Sequence, residues 1–115
     1  MFTLVHLSDV HLAPIEKPAV RELMNKRILG YHSWFRHRHA VHMRHIADSM
    51  RSDIQALAPD HVAITGDLVN IALPSEFART TGWLHEFGSP DWITVIPGNH
   101  DSYIPLSWKD GMAHW

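Results

Sequence analysis

Three short runs rich in β-branched residues, "FTLVHL" (2 to 7), "HVAIT" (61 to 65) and "WITVI" (92 to 96), are separated by helix-like segments. That alternation constrains the fold more than any other feature. A β-α-β-α-β order favours parallel strands joined by right-handed crossovers. The second and third runs are nearly continuously apolar, as strands buried on both faces tend to be. Before the second run, Met43, Ile46, Ala47, Met50, Ile54 and Leu57 recur at steps of three and four, one face of an amphipathic helix. Pro59 and Asp60 end that helix. Before the third run, Ser75 is the expected N-cap, Phe77, Leu84 and Phe87 share a face, and Gly88 is the expected stop. "MNKRIL" (24 to 29) reads as a further short helix, and residues 102 to 115 as loop. With no internal repeat or linker in view, residues 1 to 115 read as one domain or part of one.

Composition narrows the class. Hydrophobic residues make up 45% of the 115 and charged residues 19%, ordinary globular material. No run approaches ~18 consecutive apolar residues, so no membrane helix is expected. "MFTLVHLSDVHL" lacks the basic start and long apolar stretch of a signal peptide. The absence of cysteine excludes disulfides and thiolate metal sites. Together these place the chain in the cytoplasm as an expectation. Charge is segregated: residues 17 to 51 carry eight basic and two acidic side chains, and residues 52 to 115 carry two basic and eight acidic ones. The basic segment suits an anionic substrate as well as it suits a solvated helix face.

In an open α/β sheet, ligands gather at the carboxyl ends of the strands. The first run is followed by "SDVHL" with Asp9 and His11, the second by "GDLVN" with Asp67 and Asn70, and the third by "GNHD" with Asn99, His100 and Asp101. Parallel strands put all three tips on one edge. Carboxylate oxygen, imidazole nitrogen and carboxamide oxygen suit hard to borderline ions: Mn²⁺, Fe²⁺ or Fe³⁺, or Zn²⁺. A carboxylate has two oxygens, so Asp67 can bridge two ions ~3.5–4 Å apart. Gly66 and Gly98 permit tight turns that a side chain would obstruct.

"DVH", "GDLVN" and "GNHD", in this order after successive strands, resemble the first three blocks of the calcineurin-like metallophosphoesterase superfamily, which includes a small cyclic-nucleotide phosphodiesterase branch. Each block alone is common; the ordered set is specific, and the resemblance runs from residue 3 to about 105. It implies two divalent metal ions: Asp9 and His11 on the first, Asp67 bridging, and Asn99 on the second. It further implies that His100 contacts the phosphate and protonates the leaving oxygen. Asp101 would orient His100, and Asn70 would support the loop behind the ligands. The family pattern continues with a lone histidine and a Gly-His-x-His block, which His114 in "GMAHW" does not match. The implied fold is therefore the N-terminal β-α-β-α-β half of a four-layer α/β/β/α sandwich. On that reading the first ion keeps three ligands and the second only Asp67 and Asn99. Val62, Ile64, Ile93 and Val95 would lack a covering layer, inviting self-association through the exposed sheet.

The remaining histidines and aromatics read more plainly. His37, His39, His42 and His45 fall off the apolar stripe, on a solvated polar face. Trp34 and Phe35 read as cover for the core or a substrate entrance, and His6 and His61 as packing residues. The leading function is a metal-dependent phosphohydrolase acting on phosphodiesters. The alternative is a catalytically incomplete metal-binding or interaction remnant. Nucleic acid enters only as a substrate.

Overall fold

The computed structural model describes residues 1–115. Strands β1 (Leu4–Leu7), β2 (His61–Thr65) and β3 (Ile93–Ile96) form one parallel sheet in the spatial order β1-β2-β3. Val5 lies opposite Val62, and Val62 opposite Ile93, so one row of apolar side chains crosses all three strands. Helix α1 (Arg27–Ser33) runs into a π-helical turn at Trp34–Arg38, and helices α2 (Arg44–Leu57) and α3 (Pro74–Phe87) complete the crossovers. Successive right-handed crossovers moving in one direction along a sheet lay their helices on one face. That is the arrangement seen. Ala47 and Ile54 of α2 pack with Trp83, Leu84 and Phe87 of α3 onto Leu7, Val62, Ile64 and Ile93. The mixed α/β architecture is the one the sequence implies.

Two expectations about the sheet change. β2 and β3 are buried on one face only, with Val62 and Ile64 fully covered by the helices. The side chains expected to lack a second layer therefore have one, and it is helical. The open face carries Leu4, His6, Ala63, Thr65, Thr94 and Ile96, and histidine–threonine pairs cross it: His6 Nε2 to Thr65 Oγ1 at 2.7 Å and His61 Nε2 to Thr94 Oγ1 at 2.9 Å. The alternation of Val and Ile with Ala and Thr is what separates the faces. Self-association through bare Val62, Ile64 and Ile93 consequently loses its physical basis.

The helices also differ in detail. α2 meets the sheet through Ala47, Met50 and Ile54, while Ile46 and Leu57 at the edges of the stripe stay exposed. Met43 precedes the helix in extended backbone and is exposed too. The chain leaves α2 through Ala58 in the left-handed conformation, φ 49°. α3 starts two residues earlier than a Ser75 cap would set it. Leu73 is the N-cap, Pro74 takes the first helical position, and the Glu76 carboxylate accepts the Leu73 N–H at 3.0 Å. Residues 102 to 115 are short turns that close back on α3, with Trp115 against Phe77 at 5.4 Å between ring centres. No helix is long and apolar enough to cross a membrane.

Candidate metal centre

Beyond the strand ends the backbone keeps pairing. Asp9 N–H donates to Gly66 O at 3.1 Å, His11 N–H to Asp67 O at 2.8 Å and Leu12 N–H to Leu68 O at 2.8 Å. The β1 and β2 tips are thus laced into one surface. Asp9, His11 and Asp67 all sit in the left-handed region, with φ of 55°, 44° and 55°. Aspartate and histidine tolerate that region better than bulkier residues, and such conformations collect at functional sites. The β3 tip closes on the other two through glycine. Gly66, at φ 89°, backs directly onto Gly98, and a Cβ on Gly98 would strike Asp67 Oδ1 and come within 2.6 Å of Asp67 N.

A buried carboxylate ties the β2 and β3 tips together. Asp101 is 1% exposed and accepts four backbone N–H groups: Asp67 and Gly98 at 2.7 Å on Oδ2, Leu68 at 2.9 Å and Val69 at 3.0 Å on Oδ1. Both its oxygens are spent on the loops, so it does not orient the His100 ring as the resemblance implies. That task falls to Asn70, whose carbonyl oxygen lies 2.6 Å from His100 Nδ1. A second buried carboxylate supports the far side. Glu76 accepts Asn70 N–H at 2.8 Å, Asn70 Nδ2 at 3.0 Å and Ile71 N–H at 3.1 Å. The buried Arg27 guanidinium donates to the carbonyls of Ile71, at 3.0 Å, and Ala72. Asn70 Nδ2 also reaches Leu12 O at 3.3 Å, so Asn70 joins the tips through both its backbone and its side chain.

At the edge so formed, one ligand-type atom each from His11, Asp67 and His100 lies within 4.8 Å of the others. His11 Nδ1 meets Val69 O at 3.1 Å. A carbonyl only accepts, so Nδ1 carries the proton and Nε2 offers a lone pair, 3.9 Å from Asp67 Oδ2. Burial, then the neighbouring His100 and His42, push the His11 pKa below its ordinary 6.5, outweighing the Val69 and Asp67 contributions. His11 is thus a neutral imidazole facing a carboxylate rather than half of an ion pair. Asp67 Oδ1 accepts His100 N–H at 2.8 Å, which leaves Oδ2 turned toward His11. A neutral nitrogen, a free carboxylate oxygen and fixed tautomers are the chemistry a divalent cation requires. Asp9 stands apart from the trio and is exposed, and Asn99 is exposed in the turn between Gly98 and His100.

The basic segment approaches the same edge, against expectation. His42 lies in the turn before α2, half-buried, its ring 4.8 Å from that of His11 in an edge-on arrangement. Burial and then Arg38 and His100 lower its pKa, with Asp9 acting in the opposite sense. Arg38 Nη1 lies 3.3 Å from His100 Nε2. His37, His39 and His45 are exposed, as a solvated face requires. Sequence reasoning thus missed Glu76, Arg27, Arg38 and His42. Only Glu76 had a local signal, its place three residues after the helix N-cap.

Against known families, the model of the calcineurin-like phosphoesterases matches residues 2–114. No curated protein matches the chain.

Proposed function

Because the chain belongs to the calcineurin-like phosphoesterases, whose chemistry is metal-dependent hydrolysis of phosphoesters, we propose that it hydrolyses phosphodiesters at a dinuclear centre on the edge of its sheet. The observation that carries this reading is the group of His11, Asp67 and His100 at the tips of three parallel strands. Asp9 and His11 would hold the first ion, Asp67 both, and Asn99 the second. Divalent ions there supply Lewis acidity toward phosphoryl oxygens and make a water more acidic. The chain's residues do the remainder. The Asn70 carbonyl keeps the proton of neutral His100 on Nδ1 and so aims Nε2 at the site. Protonated His100 gives the Nε2 proton to the departing ester oxygen as water's oxygen replaces it on phosphorus. Asp101 and Glu76 hold the loops that carry Asp67, Asn70 and Gly98. The open face of the sheet is suited to a second sheet, which supports reading residues 1–115 as the N-terminal part of a four-layer sandwich.

The same cluster favours a second reading, in which His100 is itself a ligand of a single ion. Metal analysis and kinetics together separate the two. Asp67→Ala is expected to lose metal and activity toward every substrate. His100→Ala is expected to keep metal and lose ~10²–10⁴-fold on an alkyl phosphodiester, where the leaving group needs a proton. Its loss on a p-nitrophenyl diester is expected to be smaller. If His100→Ala loses metal as badly as Asp67→Ala, His100 is a ligand.

A further inference from the structure

Arg38 is the one basic side chain brought against the reacting edge, and the proteins' usual partners for a guanidinium are missing around it. Arg44, Arg51 and Arg79 each face a carboxylate, and Arg27 is satisfied by two carbonyls. Arg38 instead donates to the ring of His100, at 3.3 Å. Since the Asn70 carbonyl holds the His100 proton on Nδ1, the Nε2 lone pair is what Arg38 meets. A permanent cation is thereby held against a neutral acceptor, at the atom where a leaving oxygen would stand. It is also held firmly. Arg38 ends the π-helical turn that starts at Trp34, and Trp34 is buried against Ile15, Ile71 and Leu73. Single π-helical turns gather at functional sites.

We propose that Arg38 binds a non-bridging oxygen of the substrate's phosphoryl group, beside Nε2 of His100, so that the Arg38 guanidinium forms the anion-binding wall of the site. This rests on the phosphoesterase reading above. Arginine presents five N–H donors in a planar fork that matches phosphate oxygens, and its charge does not depend on pH. When the anion takes the guanidinium donors, the Nε2 lone pair is freed to take up the solvent proton that His100 then gives to the leaving oxygen. The role requires a substrate with a charged phosphoryl oxygen, which diesters and monoesters have and neutral triesters lack. His42, its ring 4.8 Å from that of His11, borders the same edge.

The test is calorimetric titration of the Mn²⁺-loaded chain with inorganic phosphate, with metal content measured alongside. Wild type is compared with Arg38→Gln, Arg38→Lys and, as a control for bulk charge, Arg36→Ala, whose side chain is exposed. Arg38→Gln is expected to weaken phosphate binding roughly 10- to 100-fold at unchanged Mn²⁺ content, the scale of a charge-assisted hydrogen bond. Arg38→Lys should recover part of the loss, and Arg36→Ala should bind as wild type does. Equal phosphate affinity in Arg38→Gln and wild type overturns the assignment of Arg38 alone, as does an equal loss in Arg36→Ala. Wild type that takes up Mn²⁺ but no phosphate overturns the phosphoesterase reading and this inference with it.

Discussion

Replacing Asp101 tests whether its carboxylate holds the loops or serves the chemistry. In Asp101→Ala, four backbone N–H groups lose their acceptor in a site where the side chain is 1% exposed. Each buried donor left unpaired costs about 1–3 kcal/mol. With all four left unpaired the sum is about 4–12 kcal/mol. A chain of 115 residues has a total stability of about 6–17 kcal/mol at ~0.05–0.15 kcal/mol per residue. The alanine variant should therefore lose a large share of its stability. Asp101→Asn separates the two carboxylate oxygens. Its carbonyl can still serve either the Leu68 and Val69 pair or the Asp67 and Gly98 pair, while its NH₂ faces two donors. About half the loss is expected, about 2–6 kcal/mol. Urea denaturation followed by tryptophan fluorescence measures both variants against wild type. A loss below ~1 kcal/mol in Asp101→Asn, with activity alone collapsing, would show that Asp101 works on His100 after all.

The other predictions concern the turns and the histidines. Gly98→Ala should lower both the melting temperature and Mn²⁺ affinity, because the new Cβ collides with Asp67 Oδ1 and sits 2.6 Å from Asp67 N; unchanged values for both would mean the two tips are not in contact. Metal-free protein should lose stability as pH falls below 6.5, since burial lowers the pKa of His11 and His42 below that ordinary value. The sign follows from linkage: above 6.5 both rings are neutral folded and unfolded, and below it the unfolded chain takes up protons first. Urea midpoints measured from pH 8 down to 5 should show this slope, and a His11→Gln, His42→Gln double variant should flatten it.

The α/β order was legible because the helices carry an apolar stripe and the strands are short β-branched runs, but the alternation of Val62 and Ile64 with Ala63 and Thr65 was passed over as continuous burial. Which face of the sheet the helices would cover was not written in any one element, and the expectation of bare Val62 and Ile64 failed there. The strand-tip residues were legible for a related reason. Parallel topology brings the tips that carry His11, Asp67 and His100 to one edge, while Asp9 and Asn99 on the same tips stand exposed outside that group. The approach of Arg38 and His42 depends instead on how the π-helical turn at Trp34–Arg38 bends the chain back. No periodicity encodes that bend, and a run of histidines and arginines looks the same whether it meets solvent or a site. The partners of Asp101 were hidden because they are backbone groups, which leave no mark on sequence.

The backbone geometry of the tips leads to a last expectation. Left-handed conformations at Asp9, His11 and Asp67 cost roughly 1 kcal/mol each or somewhat more. A loop would relax them if it were free to. Four hydrogen bonds to Asp101, three to Glu76 from residues 70 to 73 of the backbone, and two from Arg27 oppose that relaxation from the buried side. Every donor and acceptor in these bonds belongs to the chain itself, so the site should be ordered before metal arrives. The amides of Leu68 and Val69, which no strand or helix protects, should then exchange slowly in metal-free protein, at rates close to those of the β2 core. Hydrogen exchange followed by NMR with and without Mn²⁺ measures this directly. If those amides exchange like an exposed loop and slow only when Mn²⁺ is added, the ion orders the loops. The buried carboxylates would then be insufficient to hold the strained turns on their own.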